Sequence, residues 1–320
     1  MNSKERVLKA INFEKPDRVP FNFWMDRRLM DDYEKKYGPD WRVRHYDADV
    51  VETFFALPFP TGKYVEQTGT AWLVEPLIKD MKDADSIQMP DPTADWVYDL
   101  IKQDLDKFSD RAVIADTMGV MTIMHGIRGY DNLLMDIYDN PNEVKALFSR
   151  ITDVMVEACD RACSLGITAL YVLDDVGCSN GLLMSLDMTQ EFVFNFNQRQ
   201  IDVGRKHGVP VFLHSCGKVS EAIPTFINMG LTAINPLQTH LHDIDGFREQ
   251  YGNAITIYGA LDNTHIIPHG TVQDVRDHVR HIFNALGKDG GLIFSTHDIP
   301  IATPPENVEA MVETIKECTY

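Results

Sequence analysis

The sequence predicts an α/β chain folded as a single (β/α)8 TIM barrel over residues 1–320, with an insertion between strands 2 and 3. Three observations carry that expectation. Short apolar, β-branched or aromatic runs recur eight times, they alternate with segments of helical period, and no GxGxxG follows the first run. Continuous apolar runs suit parallel strands buried on both faces. Their alternation with helices suits a barrel, and the missing glycine motif argues against an open dinucleotide-binding sheet.

In chain order the runs are VPFNF (19–23), DVVETF (49–54), AVIADT (112–117), ALYVLDD (169–175), PVFLHSC (210–216), AINPLQ (233–238), AITIYGAL (254–261) and GLIFSTHD (291–298). The opening stretch MNSKERVLKAINFEKPDRVP reads as an amphipathic helix and lacks the apolar core of a signal peptide. A long helix is expected from DNPNEV to Gly166, starting on Asp/Asn and stopping on Gly. Others are expected from near Ser185 to Gly208, in SEAIPTFINMG, and in TVQDVRDHVRHIFNALG. Residues 55–111 exceed what one strand–helix unit needs, and read as an insertion over the barrel mouth plus a helix.

Charge and composition exclude several classes. With 30 Lys+Arg against 48 Asp+Glu the net charge is −18. A chain this acidic repels phosphate backbones, so neither a nucleic acid nor an anionic membrane surface is an expected partner. No run of about 18 apolar residues offers a membrane span. Five cysteines at irregular spacing (Cys159, Cys163, Cys178, Cys216, Cys318) make no disulfide framework and point to a reducing cytoplasm.

Active sites of such barrels lie at the C-terminal ends of the strands, and here those ends are polar. His214 and Cys216 stand two apart on one predicted strand, hence on one face. His297 ends the last strand. Imidazole nitrogen and thiolate sulfur are zinc ligands, and three of them leave the open position of a catalytic site. Asp174 and Asp175 end another strand, where one can face the cavity as a catalytic or orienting carboxyl while the other pairs outside. Helix capping or ion pairing accounts equally well for such a pair. Asp175 and Cys178 are reserve ligands. Phe23, Trp24 and Gln238 are candidate substrate-binding residues. Phe21, Phe54, Phe55 and Phe59 are further aromatics for a pocket wall or for the core. Arg27 and Arg28 read as surface charge at a helix start, His240 and His242 as solvated loop residues, and Cys159 and Cys163 as core.

The stretches RVLKAINFEKPDRVP, RGYDNLLMDIYDNPNEV, LDDVGCSNGLLMS, VPVFLHSCGKVSEAIPTFINMGLTAINPLQ, GALDN and GGLIFSTHDIPIATPPENVEAMVE together resemble the uroporphyrinogen decarboxylase superfamily over nearly the whole chain. The resemblance implies a (β/α)8 barrel and one of two activities: metal-free decarboxylation of a porphyrinogen, or zinc-dependent methyl transfer to or from a corrinoid protein. The decarboxylases carry an Arg-Gln-Ala-Gly-Arg segment and a Phe-Ser-Asp motif where this chain has MDRRLM and VVETFF, with Glu52 nearest the aspartate. His214-Ser215-Cys216-Gly217 is similar to the His-x-Cys-Gly zinc motif of the methyltransferase branch. Coenzyme M methyltransferases place a Cys on the last strand, where this chain has His297. The resemblance therefore implies zinc on His214, Cys216 and His297, and cobalamin carried by a partner corrinoid protein. It also implies a small methyl donor such as a methoxylated compound. A thiol, coenzyme M or tetrahydrofolate methyltransferase, and a decarboxylase, remain the alternatives.

Overall fold

The computed structural model describes residues 1–67 and 70–320. Among them, seven parallel strands form one sheet in sequence order: β1 (Val50–Phe54), β2 (Ala112–Met118), β3 (Ala169–Leu173), β4 (Val211–His214), β5 (Ala233–Asn235), β6 (Thr256–Ala260) and β7 (Leu292–Ser295). Six fall inside a run expected to be a strand, and β2 outruns its expected 112–117 by one residue.

The first run, 19–23, is where the expectation needs correcting. It forms no regular strand, yet it closes the sheet. Asn22 N–H donates to Phe294 O, Phe294 N–H to Pro20 O, and Asp49 N–H to Phe21 O. The ladder toward β1 is broken because Phe21 N–H turns to the Asp49 carboxylate at 3.0 Å. That fully buried carboxylate is also gripped by Arg6 at 2.5 Å and Arg18 at 2.6 Å. A buried charge survives when it is paired and hydrogen-bonded on every side, and here it seals the seam of the barrel.

Helices follow the strands where capping residues start and stop them. The long helix runs Pro141–Ser164, with proline in its first turn. Ser185 caps Leu186–Thr189 through Met188 N–H, and the chain continues through a π-turn into Asn195–His207, ending on left-handed Gly208. Thr271 and Asp274 form a capping box at the head of Val272–Ile282. Between β1 and β2, the described part of residues 55–111 holds an antiparallel hairpin (Lys63–Gln67 with Thr70–Glu75), two 3-10 turns and the helix Asp99–Lys107. No helix of the described residues is long and apolar enough to cross a membrane.

Two apolar layers result. The larger lies between the sheet and its surrounding helices. The smaller fills the barrel: Val50, Ile114, Tyr171, Phe212, Tyr258 and Ile293 meet Val7, Ala10 and Ile11 of the helix Ser3–Ile11. That helix is tied in by Lys4 N–H to Asp110 O and Gly291 N–H to Ala10 O, just ahead of β2 and β7. It stoppers the N-terminal end of the barrel, so the open end is the C-terminal one.

Candidate metal centre

Side chains along a strand alternate, so stepping two residues up from the apolar filling gives the next interior layer. Above Val50 stands Glu52, above Ile114 Asp116, above Phe212 His214, and above Ile293 Ser295. The strand register aligns Leu173 with His214 and His214 with Asn235. These residues, with Trp24, Tyr171, Asp175, Thr296, His297 and Asp298, line a cavity of about 290 Å³ at the mouth.

His214, Cys216 and His297 converge at its rim, each offering a ligand atom within 4.8 Å of the others. Cys216 Sγ lies 3.5 Å from His214 Nε2, and the two imidazoles face each other with centroids 5.4 Å apart. The orientation of His214 follows from its neighbours. Asn235 Nδ2 donates to Tyr258 O at 2.6 Å, which fixes the amide and points Asn235 Oδ1 at His214 Nδ1, 2.6 Å away. An amide oxygen only accepts, so Nδ1 carries the proton and Nε2 presents its lone pair toward Cys216. Burial lowers the pKa of His214, which favours the neutral ring. Burial, with Asp175 and Asp298 nearby, pushes the Cys216 thiol up to about 12.

The turn after Cys216 is built for this placement. Gly217 adopts φ +87°, and a Cβ there would lie 2.4 Å from Gly177 C and 2.5 Å from Cys178 N. Only glycine passes so close to another backbone. Cys216 N–H donates to Asp175 Oδ1 at 2.7 Å, Gly217 N–H to Gln238 Oε1 at 2.7 Å, and Val219 N–H to His242 Nε2 at 3.2 Å.

Several expected roles change on this geometry. Asp175 faces the cavity, 3.5 Å from His214 Nε2, but Asp174 does not. The latter is buried on the opposite side of the strand end, accepting from Thr122 N–H at 3.0 Å and Asn197 Nδ2 at 2.9 Å. It receives the first turn of the helix Val120–Arg128, and burial pushes its pKa up to about 7. A Cβ on Gly119 would lie 2.2 Å from its carboxyl carbon, so the glycine is what admits it. A catalytic role for Asp174 is corrected to a helix-capping one.

Gln238 braces the Cys216 turn instead of lining the cavity, and His242 does the same from its half-buried position. Phe23 is fully buried against Trp41 and Tyr46, so it is core and not a substrate contact. Trp24 does line the cavity, donating Nε1–H to Glu52 Oε2 at 2.6 Å beneath the Arg42 guanidinium, 3.9 Å from its ring. Phe54, Phe55 and Phe59 wall an adjoining apolar cavity of about 320 Å³ that shares Asp116 and Leu173 with the first. Phe21 is core. Cys178 sits exposed on the small hairpin Gly177–Cys178/Gly181–Leu182, outside the metal-ligating cluster. Arg28 pairs with Asp26 at an exposed helix start, and Cys159 and Cys163 are buried.

Four residues of the cavity floor and His214 support were not singled out as site residues: Asp116, Tyr171, Asn235 and Tyr258. Glu52, noted only for its place in the strand motif, belongs with them. It accepts from Tyr258 Oη, from Asn22 Nδ2 and from Trp24 Nε1. Asp116 Oδ1 is buried with no protein partner, and burial beside Glu52 pushes its pKa well above the usual carboxylate range. The parity rule applied upward from the apolar filling would have found both.

A family model for uroporphyrinogen decarboxylase (URO-D) matches residues 61–318. The chain belongs to the uroporphyrinogen decarboxylase family. It is 24% identical over 268 residues to a uroporphyrinogen decarboxylase of Anaeromyxobacter dehalogenans, covering 81% of this chain and 74% of that one. It is 25% identical over 196 residues to a methylated-thiol–coenzyme M methyltransferase of Methanosarcina mazei, covering 61% of this chain and half of the other. A solved methyltransferase from Methanosarcina mazei superposes with TM-score 0.77 at 18% identity over 99% of both chains, which shows a shared barrel.

Proposed function

We propose that this family member is a zinc-dependent methyltransferase that moves a methyl group between a small donor and the cobalamin of a corrinoid protein. The observation that carries the reading is the His214–Cys216–His297 cluster, whose donor chemistry fits zinc. One ring is already held in the ligand tautomer by Asn235, the outer-sphere hydrogen bond that metal-bound histidines keep. Burial and two nearby carboxylates hold the Cys216 thiol protonated, and a divalent cation is what would favour its ligating thiolate form. When bound, zinc acts as a Lewis acid that stabilises charge developing on the oxygen or sulfur of the demethylated group.

The chain's own residues do the rest. Asp175 fixes the backbone at Cys216 and stands beside His214, so it orients the ligands. Trp24 and Tyr171 wall the reacting cavity. Phe54, Phe55 and Phe59 offer an apolar annex of about 320 Å³ next to it, sized for the ring of a methoxylated aromatic donor. The partner's corrin would meet the methyl group from the open C-terminal end, since the Ser3–Ile11 helix blocks the other.

Decarboxylation is disfavoured by charge. Among the described lining residues are Glu52, Asp175 and Asp298 and no Lys or Arg, with Arg42 lying behind the Trp24 ring, a poor welcome for a substrate rich in carboxylates. The same argument disfavours an anionic thiol such as coenzyme M as the small substrate.

The test is a panel of methoxyarenes and thiols with the zinc-loaded protein and free cob(I)alamin, followed by the absorbance change on cobalt methylation. Turnover that needs both zinc and Cys216 supports the proposal. Metal-independent consumption of a porphyrinogen, with no cobalt methylation, overturns it.

A further inference from the structure

We propose that the barrel mouth carries a second transition-metal site, built from His240, Asp262 and His265, whose ion steadies the turn bearing Cys216. One ligand atom from each residue lies within 4.8 Å of the others, and the set shares no residue with the His214 cluster. Two imidazoles and one carboxylate suit first-row divalent ions such as zinc, cobalt and nickel.

The anchor is set before any ion arrives. Asp262 is buried at the end of β6. Its Oδ1 accepts from Thr264 N–H at 2.9 Å and His265 N–H at 2.8 Å, which leaves Oδ2 facing His265 Nδ1 at 3.4 Å. Its own N–H goes to His278 Nε2 at 3.0 Å. His240 and His265 are exposed, with rings 5.0 Å apart and nearly perpendicular, so both can turn onto a common ion. Beside them is a hollow of about 330 Å³ lined by His240, His242, Asp262, His278 and His281, with room for the waters that would complete the coordination.

The consequence follows from what flanks His240. Gln238 accepts from Gly217 N–H, and His242 accepts from Val219 N–H. His242 is itself held by Gln238 O at 2.8 Å. An ion bridging His240 to Asp262 and His265 ties this loop to the end of β6 and thereby stiffens the scaffold of the Cys216 turn. A stiffer scaffold holds Cys216 in ligating position, so filling the outer site tightens the inner one, and by reciprocity the inner ion tightens the outer.

The experiment is a cobalt(II) titration of the metal-stripped full-length protein, followed by visible and near-ultraviolet absorption and by equilibrium dialysis. The wild type is expected to bind about two ions per chain, one of them giving the sulfur-to-cobalt charge-transfer band that marks thiolate ligation. Cys216→Ala should lose that band and still hold about one ion. The double variant His240→Gln/His265→Gln should keep the band, hold about one ion, and hold it about tenfold more weakly, the usual scale of outer-sphere effects. Because both imidazoles are exposed, near-ultraviolet circular dichroism should show an unchanged fold. A double variant with wild-type stoichiometry, or a Cys216→Ala protein that binds no cobalt, would overturn the outer site. An unchanged inner affinity in the double variant would overturn the steadying role. The inner and outer sites give different spectra, so failure of the methyltransferase reading is distinguishable from failure of this one.

Discussion

The two ends of the barrel use the same strands for opposite purposes. At the stoppered end, Val50, Ile114, Phe212 and Ile293 pack in the layer that meets the Ser3–Ile11 helix, and the interior is an apolar core. Two residues further along the same strands the interior turns polar: Glu52, Asp116, His214, Ser295. Along these four strands both layers belong to one unbroken strand. What changes is which neighbours a side chain meets, packed carbon below and an open cavity above. Tyr258 joins the two, since its ring packs in the core while its hydroxyl donates to Glu52. Stability should therefore reside in the lower layer and metal binding in the upper, with little exchange between them.

The sharpest way to break that division is Cys216→Ala. Losing the only sulfur of the cluster should abolish zinc retention at the inner site and all turnover, while thermal unfolding of the metal-free protein shifts little. Metal analysis after dialysis, alongside calorimetry, checks both halves. The converse variant is Phe212→Ala, two residues below His214. Removing a fully buried ring should cost about 3–5 kcal/mol in denaturant unfolding, yet leave the inner-site zinc affinity close to wild type. If the affinity collapses too, the layers are not separable.

Asn235→Ala probes the boundary. It removes the acceptor that fixes the His214 tautomer and leaves Nδ1 only the Tyr171 hydroxyl, 3.3 Å away. Zinc affinity should drop by about 10- to 100-fold, measurable by competition with a chromogenic chelator, with a smaller loss of stability.

The smallest expected effect sharpens the contrast between adjacent carboxyls. Asp174 has a folded-state pKa of about 7 against about 3.9 in an unfolded chain. Its folded form thus binds the extra proton between those values, so stability should fall as pH rises from about 4 to about 7 and level off above. Asp174→Asn should remove this slope. Asn197 Oδ1 has no partner, and a flip of that amide would satisfy the new NH2 group, keeping the change within about 1 kcal/mol near pH 4, where Asp174 is itself protonated. Unfolding midpoints across the pH range decide it.

Much of the fold was legible because it is written in periodicity. Seven of the strand runs became sheet strands, and the expected helices start and stop at Ser185, Gly208 and Thr271. The first run escaped because its irregularity is set by Asp49, Arg6 and Arg18, three residues far apart in sequence that meet only after closure. At the site, the convergence of His214, Cys216 and His297 was legible from strand ends alone. The inward side of the Asp174–Asp175 pair was not, since parity at a strand end depends on where the strand stops. Gln238 and Phe23 were misplaced for a related reason. A polar or aromatic residue beside a site can serve the backbone or the core, and the sequence carries no mark of which. Asp116 and Asn235 looked like ordinary strand residues until register set them beside Glu52 and His214.

The central claim is that two imidazoles and one thiolate share an ion with a coordination position to spare. Zinc-edge X-ray absorption on protein loaded with one equivalent tests it most directly. The account predicts one sulfur at about 2.3 Å, with lighter nitrogen or oxygen neighbours at about 2.0–2.1 Å, the sulfur vanishing in Cys216→Ala. A first shell without sulfur in the wild type, or one indifferent to that substitution, would contradict it.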